Sequence, residues 1–498
     1  MTSKKAAPKE AYVWIWLPGA VDPVVAGLIE RENDRYVFNY GQSYLQRNDA
    51  IAIYDPELPL GRGAIFPNGT LTIAGCLRDG SPDAWGRRVI INRLFGAKGE
   101  NIDVDTLDEL TYMLQSGSDR IGALDFQTSA KTFKARAGAV ATLEELQSIA
   151  ERVEGGVPVT PELERALFHG TSLGGARPKA AIDTPEAKFI AKFSSSSDLI
   201  NVVKGEFIAM RLAEHLGLTV APVRLDKSAG KDVLLIERFD RVRTSAGWAR
   251  KSMVSALTML GLDEMTGRYA SYEELAQIIR TRFTTPKASL RELFGRMVFN
   301  VLCGNNDDHA RNHAAFWDGK KLSLTPAYDI CPQRRTGRES NQAMRIIGER
   351  SASTLAVCLS AAPQFQLSPK AASELIEAQI AGVYARFGDI ADQAELSSID
   401  RNQLWRRTFL NPYAFEDAPQ AIAALERVVG AGVHLLGRIR IERLGRVVAL
   451  GASAEADRGG DGGEQDESLF QHQQIPTFDP LAAWRRMQTD SGSPMPLW

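Results

Sequence analysis

The stretch NNDDHARNHAAFWDGKKLSLTPAYDI, residues 305–330, decides how this chain is read. It places Asp307, Asp308, His309, Asn312 and His313 close together and then runs to a further acid, Asp329. The chain has only six histidines among 498 residues, so this concentration asks for a chemical explanation. Three are open: a metal site, a phosphoryl-transfer site, or a polar loop without chemistry. As a metal site, His309 and His313 would share one face of a helix. A hydrolytic zinc helix needs a glutamate directly after its first histidine, and Ala310 stands there. Asp307, His309 and His313 could hold a transition metal on a loop, although nothing in the sequence fixes the ligand set.

Phosphoryl transfer needs a carboxylate to orient the attacking hydroxyl, and an amide oxygen with a second carboxylate to hold Mg²⁺. It also needs a lysine on the phosphates and backbone amides to cradle them. Asp307 and Asn312 have the D-x-x-x-x-N spacing of a protein-kinase catalytic loop. HAAFW and KKLSL flank Asp318-Gly319, which predicts a type I′ hairpin. The chain then arrives at Asp329 in AYDI. Upstream, Leu290, Leu293, Phe294, Met297, Val298, Val301 and Leu302 form a helical stripe. Helix, polar loop, hairpin and second acid, in that order, are more specific than any one of them alone.

Working outward, FIAKF puts Lys192 in an apolar strand, where its charge must find a partner unless it lies at an edge facing water. Glu206, early on the next predicted helix, is the natural one. TSLGGARPK, residues 171–179, places two glycines between strands. It reads as a hairpin turn or as a loop whose amides approach phosphates. VLLIERFDR ends an apolar strand at Glu237, Arg238, Phe239 and Asp240, where a hinge between lobes would offer backbone groups to an adenine.

The N-terminal region reads as a small β-rich unit, with strands expected at YVWIWLP, YVFNY, AIAIYD and GAIFPNGTLTI. A helix follows in SPDAWGRRVIINRLFG, with Ser81 as N-cap and Pro82 at its first position. Helical patterns near 105–117 and 142–153 precede a second β-rich stretch. From about 250 onward most segments are helical. The Gly- and acid-rich run from 451 cannot bury a core and predicts a loose tail. The expected fold is thus α+β and bilobal, kinase-like. Its divisions are a β-rich N-terminal domain over 1–115, an N-lobe over 116–245, a helical C-lobe over 246–450 and a tail over 451–498.

Composition agrees with an ordinary globular protein, at 44% hydrophobic and 24% charged residues. With 59 Lys+Arg against 61 Asp+Glu the formal charge is −2, which argues against a surface that is basic overall. No apolar run of about 18 residues would span a bilayer, and the opening lacks a signal-peptide pattern. Four cysteines without C-x-x-C spacing predict buried, reduced thiols in a cytoplasmic protein.

SLGGARPK, FIAKF, GEF…LAEHLGL, LLIERFDR, GNNDDHARN and TPAYDI resemble, in order, the HipA serine/threonine kinases of bacterial toxin–antitoxin modules. LPLGRGAIF…LRDGSPDAWGRRVI resembles that family's N-terminal domain. The resemblance covers roughly residues 12–445. It implies ATP and Mg²⁺ as cofactors, Asp307 as catalytic base, and Asn312 and Asp329 as metal ligands. It places Lys192 on the ATP phosphates and the 172–179 loop over them, through Ser172, Gly174, Gly175 and Ala176, with Lys179 reaching in. Glu237, Phe239 and Asp240 would form the adenine-binding hinge, and His309 and Tyr328 would line the nucleotide pocket. Ser172 stands where the family autophosphorylates and so ejects the loop; a phosphate there would be repelled by those of ATP. The partners implied are a protein substrate of the translation machinery, such as an aminoacyl-tRNA synthetase, and a small helix-turn-helix antitoxin of HipB type. DNA would be reached mainly through that antitoxin, and no membrane is expected. The chain departs from the pattern at Arg311, where many members have lysine, and at Asp308, where a small residue is common and which reads as a solvated loop acid. Thr171 beside Ser172 leaves the phospho-acceptor open. The D-x-H-x-x-N order is shared with phosphatidylinositol kinases. A lipid or small-molecule kinase and a catalytically silent corepressor therefore remain alternatives.

Overall fold

The structure, a computed structural model, describes residues 7–430 except 97–102, 104–106, 139–140, 158, 160–169, 172–174, 185, 196–197, 199 and 335–336. Ser172, Gly174 and the tail expected from 451 lie outside the described residues.

The first sheet is antiparallel: β1 (Glu10–Ile15), β2 (Val24–Glu32), β3 (Arg35–Tyr40) and β4 (Leu124–Gln127), in the order β3-β2-β1-β4. The fourth strand lies beyond residue 115, where the first domain was expected to end, because Tyr12–Ile15 pairs with Leu124–Gln127. AIAIYD is not a strand. Its backbone is satisfied by tyrosine hydroxyls instead: Tyr40 Oη accepts from the Ile53 N–H at 2.9 Å, and Tyr44 Oη donates to the Ile51 carbonyl at 2.7 Å. GAIFPNGTLTI forms no strand of the sheet; it meets β3 at the Phe38–Ile65 bridge and where the Tyr36 N–H donates to the Thr72 carbonyl at 2.7 Å.

Helix α1 (Ala84–Phe95) starts later than expected. Ser81 is not its N-cap; the Ser81 hydroxyl bonds Glu109, and Asp83 takes the capping position. Helix α2 (Leu143–Glu154) opens on a capping box between Thr142 and Glu145.

The second sheet holds β5 (Lys179–Asp183), β6 (Lys188–Phe193), β7 (Val223–Ser228) and β8 (Lys231–Glu237), in the order β5-β6-β8-β7. Ala191, Phe193, Val233 and Leu235 pack with Trp85 and Val89 of α1 and Ile149 and Val153 of α2 into one core. Strand alternation therefore sends Lys192 to the opposite face. That face receives α3 (Val202–His215), which carries Glu206.

A hairpin of β9 (Arg241–Thr244) and β10 (Gly247–Arg250) leads to β11 (Met253–Ser255). The helical part is built on α4 (Tyr272–Arg282), α5 (Pro286–Cys303) and α6 (Pro369–Gln393). Leu290, Leu293, Phe294, Val298, Val301 and Leu302 are fully buried, as the α5 stripe predicts. Helix α5 ends at Gly304, which has φ 72°; a Cβ there would come within 2.9 Å of the Thr408 carbonyl oxygen, so no side chain fits. The polar loop follows, then β12 (Ala314–Trp317) and β13 (Leu322–Leu324), which join β11 in the order β11-β12-β13. The hairpin is not a two-residue type I′ turn. Trp317 pairs with Leu322, so four residues connect the strands, and Asp318 Oδ1 caps the Lys320 and Lys321 amides at 2.7 Å each.

All four cysteines are buried free thiols. Among the described residues no helix is long and apolar enough to cross a membrane.

Candidate active site

A cleft of about 450 Å³ lies between the second sheet and the helical part, walled on a third side by the N-terminal region. Lys192, Lys179, Gly175, Ala176, Glu237, Phe239, Asp240, Asp307, His309, Asn312, Tyr328 and Asp329 all line it.

At its centre the Lys192 Nζ donates to Glu206 Oε1 at 2.6 Å and to Asp329 Oδ1 at 2.5 Å. Lys192 and Glu206 are buried, whereas the Asp329 side chain is one-third exposed. Burial opposes the Lys192 charge, but Asp329 and Glu206 outweigh it and hold its pKa above the ordinary value. Burial likewise works against ionised Asp329, yet Lys192 and Lys179 bring its carboxyl well below the usual range. Glu206 moves the other way: burial raises it more than Lys192 lowers it, and Asp329 adds repulsion. One ammonium thus serves two carboxyls whose net shifts run in opposite directions, and Asp329 is the one that faces the cleft. Asp329 also sits at φ 58°, in the left-handed region.

Lys179 pairs across the strands with Lys192. Burial, then the neighbouring Lys192 charge, push its ammonium down to about 8 against the pull of Asp329, Asp83 and Glu206. The Asp307 carboxyl is raised by burial, with His309 opposing and Asp329 and Asp308 adding to the shift. The loop carrying it is held by its own backbone: His309 N–H donates to the Asp307 carbonyl at 3.0 Å and Asn312 N–H to the His309 carbonyl at 2.8 Å. Asn312 Nδ2 donates to the Asp307 carbonyl at 3.2 Å, which leaves its Oδ1 for a cation. Tyr328 Oη donates to the Arg311 carbonyl at 2.7 Å, and its ring lies 5.6 Å from that of Phe239.

Two residues read from sequence sit differently. Asp308 is not a solvated acid. It is 2% exposed, its Oδ1 lies 2.9 Å from His313 Nε2, and its Oδ2 accepts from the Tyr272 hydroxyl. The reason is local alternation: Asp307 faces the cleft, so its neighbour points back under α4. His313 is drawn to the same buried cluster and does not join Asp307 and His309, and no metal-binding group of three acidic, histidine or cysteine side chains occurs among the described residues. Asp240 lines the cleft, but its carboxylate accepts from Arg238, Arg241 and the Gly122 N–H, all at 2.8 Å through Oδ2. It ties the hinge to the N-terminal region.

Other participants carried no usable sequence signal. Ile121, Gly122, Ala123 and Leu124 form the third wall. Arg311 reaches Asp83 at 3.5 Å, Asp79 at 3.9 Å and also Glu264. Asp79 is itself fixed by Ser255 N–H and Oγ and by Thr258 Oγ1. These are long-range contacts that no short motif encodes.

The oxygen set of Asn312 and Asp329 suits a hard cation such as Mg²⁺, and the paired lysines suit an anion between them and the glycine loop. Residues 171–411 match the HipA-like C-terminal domain and residues 17–127 the HipA N-terminal domain. Among curated proteins, the chain is 29% identical over 147 residues to "Putative kinase Y4mE" of Sinorhizobium fredii, covering 28% of this chain and 33% of that protein. It is 28% identical over 184 residues to the serine/threonine-protein kinase toxin HipA of Shewanella oneidensis, covering 32% and 42%. The chain thus matches between a third and a half of these relatives' length. The fold is shared with the HipA chain solved in the Shewanella oneidensis HipA, HipB and operator DNA complex, at TM-score 0.58 and 17% identity, covering 84% of this chain and 99% of that one. With both characteristic domains present in the same order and the fold in common, this chain belongs to the HipA-type kinase family.

Proposed function

We propose that the protein is an ATP- and Mg²⁺-dependent serine/threonine protein kinase. The observation that carries this reading is Lys192, held between Glu206 and Asp329 in the cleft that also receives Asp307 and Asn312. Lys192 and Lys179 bind and orient the phosphates, with the backbone at Ala176 above them. The backbone at Glu237 and Phe239 takes the adenine, between Phe239, Tyr328 and the 121–124 wall. Asp307, with a raised pKa, orients the attacking hydroxyl and accepts its proton as the new bond forms. Mg²⁺ held by Asn312 and Asp329 would neutralise the triphosphate. Water is excluded by the third wall.

The substrate is a protein of the translation machinery, with an aminoacyl-tRNA synthetase as the family precedent. A helix-turn-helix antitoxin of HipB type is the proposed partner, and operator DNA is reached through it. Phosphorylation of Ser172 would switch the kinase off by expelling the glycine loop. The test is phosphate transfer from [γ-³²P]ATP by the full chain, offered host proteins and, separately, lipid vesicles. Label on protein, lost in Asp307→Asn while the variant stays folded, is the expected result. Label on lipid alone, or undiminished transfer by Asp307→Asn, overturns the reading.

A further inference from the structure

Asp83 occupies the N-cap of α1 with extended backbone, at φ −81° and ψ −170°. An aspartate there ordinarily turns its carboxylate onto the amides of its own first turn. Asp83 makes no such bond. Its Oδ2 instead accepts the N–H of Gly175, ninety-two positions away, at 2.8 Å. The first turn of the same helix completes the hold. The Trp85 N–H donates to the Gly175 carbonyl at 3.1 Å, and Trp85 Nε1 donates to the Lys179 carbonyl at 2.9 Å. Both backbone polar groups of Gly175 are therefore bound by the start of one N-terminal helix. Gly175 has φ +89°, a backbone conformation that favours glycine.

The other oxygen of the same carboxylate faces the catalytic loop. Asp83 Oδ1 lies 3.5 Å from Nη1 of Arg311, which stands between His309 and Asn312 in sequence. One side chain thus joins the glycine loop to the catalytic loop, and it belongs to neither lobe. We propose that Asp83 is a positioning residue: the N-terminal domain uses it to latch the Gly175 end of the glycine loop to the catalytic loop. The inference rests on the kinase reading for its consequence, since a loop already held in place spares the nucleotide the cost of ordering it. It gives the N-terminal domain a direct part in the chemistry and makes anything that shifts α1 a means of opening the cleft.

The test uses the full chain with Asp83→Ala, Asp83→Asn and, as a control, Asp108→Ala. Asp108 caps its own helix through the Thr111 N–H at 3.0 Å and has no part in the latch. Exchange of the Gly175 amide without nucleotide is read by residue-resolved hydrogen–deuterium mass spectrometry. Affinity is read with mant-ATP and Mg²⁺. Asp83→Ala is expected to speed Gly175 exchange by at least about tenfold, the scale set by losing a bond to a charged acceptor. Asp83→Asn should speed it severalfold, because a neutral oxygen still accepts, but more weakly. Mant-ATP affinity should fall in the same order, and Asp108→Ala should leave both readouts unchanged. Gly175 exchange that stays at the wild-type rate in both Asp83 variants, or rises equally in Asp108→Ala, overturns the latch. If Asp83→Ala does not fold, Asp83→Asn decides alone. Faster Gly175 exchange in a chain that binds no mant-ATP would sink the kinase reading and leave the latch standing; normal binding with unchanged exchange sinks the latch only.

Discussion

Replacing Asp308 by alanine tests the geometry beneath the catalytic loop. Asp308, Tyr272 and His313 are 2%, 0% and 3% exposed, and the Asp308 carboxyl receives both neighbours. Burial and the adjoining Asp308 raise the Tyr272 phenol well above its ordinary pKa, so the hydroxyl remains a donor. Removing the acceptor leaves the Tyr272 hydroxyl and His313 Nε2 only each other, 3.2 Å apart, in place of a carboxylate that bonds both, a loss of about 1–3 kcal/mol. The other ring nitrogen does not compensate, since His313 Nδ1 has no hydrogen-bond partner among the described residues. The expected loss, about 1–3 kcal/mol, is that of buried polar groups deprived of a shared carboxylate partner. A solvated loop acid would change stability by no more than about 0.5 kcal/mol. Urea unfolding followed by tryptophan fluorescence separates the two. Combining Asp308→Ala with Tyr272→Phe should cost less than the separate losses added together, by about 1–2 kcal/mol, since the second deletion removes a hydroxyl that has already lost its carboxylate acceptor. A loss under about 0.5 kcal/mol, or strict additivity with Tyr272→Phe, would refute the buried cluster.

Lys192→Met should destabilise the chain by about 3–5 kcal/mol, because it strands Glu206 and Asp329 together, and adding Glu206→Gln should restore part of that loss in the same urea assay. Lys179 loses its proton in the folded chain near 8 against an ordinary 10.5, so mant-ATP binding should weaken as pH rises through about 8, and Lys179→Met should flatten the profile. The unfolded chain binds the extra proton between those values, so the Lys179 contribution to stability should rise with pH across that window in denaturation curves and vanish in Lys179→Met. Chelation with EDTA should abolish phosphate transfer reversibly, and Asn312→Ala should raise the Mg²⁺ concentration needed for half-maximal transfer.

What could be read in advance was local and periodic. The α5 stripe, Lys192 among apolar neighbours and the ordered run from Asp307 to Asp329 follow from side-chain spacing, and each falls where that spacing puts it. Errors arose where distant residues decide. AIAIYD has the composition of a strand, but Tyr40 and Tyr44 capture its backbone groups. Asp318-Gly319 signals a two-residue turn, yet Gly319 packs against Ile51, where a Cβ would come within 2.6 Å, and the loop widens to four residues. Ser81 is an ordinary capping residue until Glu109, folded against it, claims the hydroxyl. Asp308 and Asp307 are identical in type and adjacent in sequence; only the packing of α4 makes one a strut and leaves the other in the cleft.

The backbone handedness at Asp329 bears on how a silenced form should be made. At φ 58° an alanine would strain the main chain as well as deleting the carboxylate, so lost activity in Asp329→Ala would mix two causes. Asparagine tolerates that conformation and retains the shape of the side chain while discarding its charge. Glycine relaxes the peptide altogether. Comparing those two replacements would show whether the chain's twist at this point serves only to aim an oxygen, or also keeps the hairpin's exit in place.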